Sequence, residues 1–218
     1  GVTTPMPEHC LVKGEMNRRT SAVDGKSYAI GFEMRLPTAW NGRYFYQANG
    51  GIDGSVVTAT GPTSGGAPVS NALQMGFAVL SSDAGHSGPP WWGLDPQARL
   101  DYGYQAVGSL TPMAKNLIKV AYGKAPDRSY FGGCSNGGRH AMIAAARYSD
   151  QYDGILAGAP GFHLPKAATA QLWKVQQYAS IASGTVTTGA DAGQPDITTA
   201  VTPAEFKLLG ERIVAKCD

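Results

Sequence analysis

The sequence lacks three features that would assign it to a particular class of protein. It has no apolar stretch with enough residues to span a bilayer as a helix, so no segment is predicted to cross a membrane. It has no surplus of one sign of charge, since 18 basic and 16 acidic residues give a formal net charge of +2. It also has no run of like charges. A nucleic-acid groove or an anionic membrane partner is therefore not expected.

Cysteine is scarce as well. Cys10, Cys134 and Cys217 lie far apart and form no CxxC pair, so no metal-binding spacing is present. Three thiols cannot all pair within one chain. Either one thiol is free, or some partners lie outside this sequence, or all three are buried and act as small apolar residues.

The chain does contain short apolar strands that alternate with segments of helical length. This alternation predicts an α/β fold with a mainly parallel sheet, and 218 residues suffice for one such domain. The predicted strands are 28–36 (half-buried), 43–48, 77–81 (buried), 128–132 and 154–158 (buried). The predicted helices are 68–76, 107–123, 137–148 and one that begins after a capping box at Thr202 and Glu205, with an irregular connection over 182–200.

The stretch FGGCSNGGRH, residues 131–140, carries the clearest chemical signal. Ser135 lies between Gly133 and Gly137, where a predicted strand meets a predicted helix. In an α/β hydrolase the nucleophile occupies a strained turn between a strand and a helix, and small residues must flank it. The pattern predicts Ser135 as a nucleophile. The alternative is a glycine-rich turn with an incidental serine.

An oxyanion hole requires two backbone N–H donors that point at the developing negative charge. The residue after the nucleophile, here Asn136, supplies one of them, and a loop after an earlier strand commonly supplies the other. Gly50 and Gly51 lie in such a loop, Asn49–Gly54. The same glycines are also typical of a plain turn.

A serine esterase needs a histidine as its base, and none of the four histidines has the expected position. His9 precedes the first predicted strand, and His86 lies upstream of the nucleophile. His140 is five residues into the helix after Ser135 and should point away from the site. His163 comes too early for the chain order serine, acid, histidine. We therefore expect the catalytic histidine to lie outside this sequence.

A set of motifs in the same order along nearly the whole chain resembles the tannase and feruloyl esterase family of α/β hydrolases. The similarity is greatest to its bacterial terephthalate-monoester-hydrolase branch. The motifs are Pro7–Cys10, Leu36–Pro37, Trp40–Arg43, Asn49–Gly54, Asp83 with Gly85–His86, Gly93–Arg99, Gly133–Arg139, Tyr152–Gly154, Gly158–Gly161 and Leu164–Lys166. The resemblance implies the N-terminal part of an α/β-hydrolase catalytic domain over residues 1–165, with a mostly parallel sheet and flanking helices. Residues 166–218 would begin a lid domain.

The resemblance also implies roles for single residues. Ser135 would be the nucleophile, and the N–H groups of Gly51 and Asn136 would form the oxyanion hole. Cys134 would form a disulfide with a cysteine directly after the catalytic histidine, in a later segment that also holds the catalytic acid. Cys10 would pair with an upstream cysteine.

Further implied roles concern the end of the chain. Cys217 would pair with a cysteine soon after Asp218, and Asp218 would be the first ligand of a structural Ca²⁺ in the lid domain. Leu164 and Phe162 would line the pocket for the acyl group, although ordinary packing explains two apolar residues equally well. Trp91 and Trp92 are interpreted as loop packing rather than as stacking surfaces for the substrate.

The sequence therefore predicts part of a secreted or periplasmic serine esterase that acts through an acyl-enzyme. Its substrates would be small aromatic carboxylic esters of the feruloyl, galloyl, hydroxycinnamoyl or terephthalate type, and its partner would be the missing C-terminal segment. One alternative is a non-catalytic domain that binds a partner through an open sheet edge. Another is one chain of a proteolytically processed esterase. Glycines at the oxyanion positions argue against the non-catalytic alternative.

Overall fold

Six strands form a sheet in the first of the two units into which the chain divides, Gly1–Gly161 and Phe162–Asp218. The computed structural model describes residues 5–62, 71–88 and 90–217. The strands are β1 (His9–Thr20), β2 (Ser27–Pro37), β3 (Arg43–Ala48), β4 (Ala78–Ser82), β5 (Arg128–Cys134) and β6 (Gly154–Gly158).

The sheet is mixed and mostly parallel, with the strand order β1-β2-β4-β3-β5-β6. Strand β3 pairs in parallel with both β4 and β5, and β5 pairs in parallel with β6. The antiparallel pairs are β1 with β2 and β2 with β4. This architecture confirms the predicted α/β class of the hydrolase type, with helices flanking the sheet.

The helices of the first unit connect the parallel strands. They are α1 (Pro96–Leu100), a π-helical turn (Asp101–Gln105), α2 (Ala106–Tyr122) and α3 (Asn136–Arg147), with short 3₁₀ turns at Pro90–Leu94 and Ser149–Gln151. Helix α2 ends where predicted, because Gly123 adopts a left-handed conformation with φ of 75°. Its buried residues Leu110 and Ile118 pack against Ile30 and Phe131 of the sheet and form the core.

The sequence pattern did not reveal β1. The prediction placed His9 before the first strand, but His9 is the first residue of β1. Its Nδ1–H donates to Pro7 O at 2.7 Å, and its Nε2 accepts from Arg35 Nη1 at 2.8 Å. Strand β1 lies at the edge of the sheet, and none of its residues is buried. It therefore lacks the apolar alternation that identifies a strand with one buried face.

The prediction that the strand at 28–36, which is β2 in the structure, is half-buried was wrong. Both faces of β2 are largely covered, and the carboxylate of Glu33 is buried among polar partners. Glu33 Oε1 accepts from Ala59 N at 3.0 Å and from Arg35 Nε at 2.8 Å, while Lys13 Nζ lies 3.3 Å from Oε2. The loop that contains Ala59 thus covers the face that the alternation assigned to solvent.

Two other expectations of burial and helicity also differ from the structure. Strand β4 is buried throughout, as predicted, but Leu156 and Ala157 of β6 are exposed. In the described part of the chain β6 is the last strand of the sheet, so its outer side lacks a neighbour. The predicted helix 68–76 falls partly outside the described residues, and residues 72–76 form turns rather than a helix.

The second unit consists mainly of two helices, α4 (Leu164–Ile181) and α5 (Pro203–Cys217). Helix α4 was not predicted, because none of its residues is buried and its sequence has no core-facing stripe. Between the helices lie two paired two-residue strands, β7 (Gly184–Thr185) and β8 (Pro195–Asp196), and a 3₁₀ turn (Ile197–Thr199), where the sequence predicted only an irregular connection.

The predicted capping box at the start of α5 is confirmed. Glu205 Oε2 accepts from Thr202 N at 2.8 Å, and Thr202 Oγ1 accepts from Glu205 N at 3.3 Å. No helix in the described ranges is both long enough and apolar enough to cross a membrane. The assignment of residues 166–218 to a lid domain stays a prediction.

We predict that Glu33→Ala lowers the free energy of unfolding by about 2–4 kcal/mol, because it leaves the Ala59 N–H and the Arg35 guanidinium without their buried acceptor. Urea denaturation of the purified variant measures this loss. The matched control is Glu15→Ala on β1, which removes only an exposed pair with Arg18 and should cost about 0.5 kcal/mol or less. Equal losses in the two variants would contradict the structural role of Glu33.

Candidate active site

Ser135 occupies a sharp turn between β5 and α3. Its backbone has φ of 58° and ψ of −116°, a conformation that residues with a side chain rarely adopt. Two hydrogen bonds attach the turn to the end of β6 and the loop after it: Ser135 N donates to Gly158 O, and Ser135 O accepts from Gly161 N, each at 3.0 Å. The serine is exposed. A strained, exposed serine between a strand and a helix has the geometry of a nucleophile elbow.

The glycines around Ser135 are required by close packing. A Cβ atom on Gly133 would lie 2.7 Å from the carbonyl oxygen of Ala48, at the end of β3. A Cβ on Gly137 would approach the same oxygen even more closely. On Gly138 a Cβ would lie 2.8 Å from Pro160 Cα. The backbone of the turn therefore packs directly against the ends of β3 and β6, where a side chain has no room.

The loop Asn49–Gly54 follows β3 and lies beside the turn. Asn49 Nδ2 donates to Ser81 Oγ at 3.0 Å and to Ser82 O at 2.8 Å, which attaches the start of the loop to the end of β4. Gly51 has φ of 67°, and a Cβ atom placed on it would meet no other atom within 4 Å. Among the described residues, neither the N–H of Gly51 nor that of Asn136 has a hydrogen-bond acceptor.

The side chain of Asn136 connects this loop to the turn. Its Nδ2 donates to Asp53 Oδ2 at 2.6 Å, and its Oδ1 accepts from Tyr102 Oη at 2.9 Å and from Arg139 Nε at 2.8 Å. The Asp53 carboxylate also accepts from His140 Nε2 at 2.8 Å, and its side chain is only 2% exposed. One buried carboxylate thus bonds to two residues of α3.

Arg139 extends the same network to the π-helical turn. Its Nη2 donates to Tyr102 O at 3.1 Å and its Nη1 to Gly103 O at 3.3 Å. The guanidinium carbon lies 4.2 Å from the centroid of the Tyr102 ring, within range of a cation–π interaction. Single π-helical turns expose backbone carbonyls and occur often at functional sites. Here Arg139 provides the donors for those carbonyls.

In the described part of the first unit, the histidines hydrogen-bond to groups other than Ser135. His140 was expected to point away from the site, but it is buried directly against Asp53. Burial lowers the pKa of His140, which keeps its imidazole neutral. Two groups face Nε2 of that imidazole: Asp53 Oδ2 at 2.8 Å, which can only accept, and Arg139 Nη2 at 3.0 Å, which can only donate. The shorter contact, to the carboxylate, places the proton on Nε2. The sequence did not reveal this pair because Asp53 and His140 are far apart in the chain.

His86 is packed against the aromatic rings of Trp92 and Tyr102. Its Nε2–H donates to Ile52 O at 2.8 Å, and its ring stacks on Trp92 with the centroids 3.9 Å apart. Burial lowers the pKa of this imidazole too. Trp92 therefore serves as loop packing, as predicted, whereas Trp91 is exposed. In the described part of the chain, no side chain hydrogen-bonds to the Ser135 hydroxyl.

Asp83 supports the loop that carries His86. Its Oδ1 accepts from Gly31 N at 3.0 Å and from Gly85 N at 2.8 Å, and its carbonyl oxygen accepts from Gly54 N at 3.1 Å. Burial raises the pKa of Asp83 to about 6, against the opposing effect of the two N–H donors. This residue thus joins β2, the loop after β3 and the loop after β4.

The cysteines are exposed, so the interpretation of three buried apolar cysteines was wrong. Cys10 lies on the edge strand β1, Cys134 directly precedes Ser135, and Cys217 ends α5. None of the three is in a disulfide with another described residue. The predicted pairing with cysteines outside this sequence stays a prediction.

The remaining predicted site residues lie at or beyond the start of the second unit. Phe162 and Leu164 are its first and third residues, and both are exposed. His163, between them, is exposed and has φ of 50°. Asp218 lies outside the described residues. Among those that are described, no group of three or more acidic, histidine or cysteine side chains is arranged to hold a metal ion.

Comparison with known proteins places this geometry in a family. A family profile described as "Tannase and feruloyl esterase" matches residues 10–218. The chain is 42% identical to mono(2-hydroxyethyl) terephthalate hydrolase of Piscinibacter sakaiensis over 98% of its own length and 36% of that protein. It is 30% identical to "Probable feruloyl esterase B-2" of Neosartorya fischeri over 95% of its own length and 36% of that protein.

Solved structures agree with the sequence comparison. The crystal structure of feruloyl esterase B from Aspergillus oryzae matches with a TM-score of 0.63 and 25% identity. That match covers 80% of this chain and 32% of the crystallised one. The chain thus spans about a third of the length of these relatives.

Proposed function

The chain belongs to the tannase and feruloyl esterase family, and on this premise we propose that it forms the N-terminal part of a serine esterase for aromatic carboxylic esters. One observation carries the proposal: an exposed serine on a strained turn lies at the N-terminus of α3, beside a glycine loop. The N–H groups of Gly51 and Asn136 are both left without an acceptor among the residues that the structure describes. A domain that only binds a partner does not require unpaired N–H donors beside a strained serine.

The proposed reaction proceeds through an acyl-enzyme. Ser135 Oγ attacks the carbonyl carbon of the ester, and its proton passes to a histidine contributed by a segment outside these residues. The carbonyl oxygen becomes an oxyanion that accepts from Gly51 N–H and Asn136 N–H. The intermediate then collapses: the ester C–O bond breaks, and the alcohol leaves with the proton from the histidine. Water attacks the acyl-enzyme by the same route and releases the aromatic acid.

The names of the relatives support the substrate class. One is a terephthalate monoester hydrolase and others are feruloyl esterases, so an aromatic acid is common to both. We propose Leu164 and Phe162 as apolar residues that contact its ring, because both are exposed and lie a few residues after β6. The catalytic acid and the histidine are proposed to lie in the part of the relatives that this chain does not span.

Three further properties rest on the family resemblance. They are a secreted or periplasmic location, disulfides from Cys10, Cys134 and Cys217 to cysteines outside this sequence, and a structural Ca²⁺ with Asp218 as one ligand. No step of the reaction depends on the Ca²⁺. The exposed edge and face of β6 also fit the alternative of a partner-binding domain, but that alternative does not explain the strained serine.

The first functional prediction concerns Ser135. The complete enzyme should hydrolyse methyl ferulate or a terephthalate monoester, and Ser135→Ala should abolish this activity. These 218 residues alone should show negligible turnover, because a serine without a base is a weak nucleophile near neutral pH. Initial rates of the purified proteins test both statements. Robust turnover by the single chain would contradict the proposal that the base lies elsewhere.

The second concerns Gly51. Gly51→Val in the complete enzyme should lower kcat about a hundredfold or more, because a β-branched residue at positive φ displaces an oxyanion donor worth about 3 kcal/mol. The matched control is Gly25→Val in the turn between β1 and β2, where φ is 69° and the space is equally open. It should cost similar stability without loss of kcat. If both variants keep wild-type kcat, Gly51 is not an oxyanion donor.

The third concerns the redox state of the cysteines. Cys10, Cys134 and Cys217 should all form disulfides in the complete protein, and none of the three should pair with another of them. Their exposure leaves each thiol accessible to a partner. Peptide mapping without reductant measures the pairing. A bond between Cys134 and Cys217, or a free Cys134 thiol, is the result that would refute this expectation.

A further inference from the structure

The two oxyanion donors come from separate loops, and little backbone structure connects those loops. Strands β3 and β5 pair in register up to Ala48 and Gly133, and the pairing stops there. In the described ranges, no backbone–backbone hydrogen bond joins residues 49–54 to residues 134–140. Side chains therefore supply the hydrogen bonds between the two loops that carry the N–H groups of Gly51 and Asn136.

Asp53 makes most of that connection. Its Oδ2 accepts from Asn136 Nδ2 at 2.6 Å and from His140 Nε2 at 2.8 Å, so a residue of the glycine loop bonds to two positions of α3. The only other bond between the two segments is a longer one, from Asn136 Nδ2 to Asn49 O at 3.4 Å, among the residues that the structure describes. Two short bonds at one buried oxygen define the geometry better than one long bond does.

The surroundings make the arrangement rigid. The side chains of Asp53 and His140 are 2% and 4% exposed, so water does not reach the Asp53 carboxylate and cannot replace its donors. Asn136 is bonded on its other side by Tyr102 and Arg139, which leaves its amide one orientation. Asp53 itself has φ of 55°, in the left-handed region. Residues with a side chain keep this conformation only where the surrounding contacts hold it.

We propose that Asp53 is a positioning residue that sets the separation of the two oxyanion donors through Asn136 and His140. This inference rests on the proposed function, because it gives the Gly51 and Asn136 N–H groups a shared support. Asp53 does not touch the substrate, and the neutral His140 takes no part in proton transfer. The loss of the support should weaken binding of the transition state and leave binding of the ground-state ester nearly unchanged.

Exchange of the two side chains tests the proposal in the complete enzyme. Asp53→Ala and Asn136→Asp should each lower kcat about 10- to 100-fold, with KM changed less than about threefold. The first variant removes the acceptor Oδ2, and the second replaces the donor Asn136 Nδ2 with an acceptor. In Asn136→Asp two carboxylates would face each other. The double variant Asp53→Asn with Asn136→Asp restores a donor opposite an acceptor: the new amide at position 53 donates to the carboxylate at 136 and to His140 Nε2, whose proton moves to Nδ1. It should recover at least about tenfold of the lost kcat.

A second readout separates positioning from general stability. An arylboronic acid forms a tetrahedral adduct with Ser135 Oγ, and its boronate oxygen occupies the oxyanion position. Its inhibition constant should rise by the same factor as kcat/KM falls in each single variant. The matched control is Asp24→Asn, which weakens a bond from Tyr28 Oη in the turn after β1 and should leave kcat, KM and inhibition unchanged.

The outcomes distinguish this inference from the proposed function. If Ser135→Ala keeps its activity, the proposed function fails whatever Asp53 does. If Ser135 is essential but Asp53→Ala keeps wild-type kcat and boronate affinity, the positioning role alone is refuted. A loss of general stability alone would also refute it. In that case the melting temperature falls, kcat and KM change by similar factors, and the double variant recovers no activity. Should Asp53→Ala not fold, Asn136→Ala removes the shorter of the two bonds at Asp53 Oδ2 and is measured in its place. Wild-type kcat and boronate affinity in that variant would refute the positioning role.

Discussion

The backbone of the turn at Ser135 lies against the carbonyl oxygen of Ala48 with no room for a side chain between them, and the site depends on this contact. It holds the backbone on either side of the serine against the end of β3. It also directs the first turn of α3 toward the glycine loop, so that Asn136 can reach Asp53. The strained conformation of Ser135 persists because the hydrogen bonds to Gly158 and Gly161 hold the residue on both sides.

Buried carboxylates attach the surrounding loops to the sheet and to α3. Glu33 accepts from the backbone of the loop at Ala59, Asp83 accepts from Gly31 and Gly85, and Asp53 joins the glycine loop to α3. Loops have no ladder of their own, and a buried carboxylate that lacks donors is costly. Each of these acids therefore restricts its loop to the conformations that supply the donors. The arrangement replaces the regular hydrogen bonds that end with the strands.

Local patterns predicted the parts of the fold whose signal lies in neighbouring residues. The strands around 43–48 and 128–134 and the helices after Gln105 and Ser135 were recognised from apolar periodicity and from helix-ending residues such as Gly123. Strand β1 and helix α4 escaped because neither buries a residue. Sequence periodicity reports burial rather than hydrogen bonding, so an edge strand and an exposed helix carry little of it.

By itself the sequence determined the α/β class, the turn at Ser135 and the family, because glycines around a serine record a steric requirement that only small residues meet. It did not determine what His140 does. From the chain alone this histidine was expected to point away from the site, yet it is buried against Asp53, which lies 87 positions earlier. Only the tertiary structure brings the two together, because packing of α3 against the end of β3 is a long-range contact that local spacing does not encode.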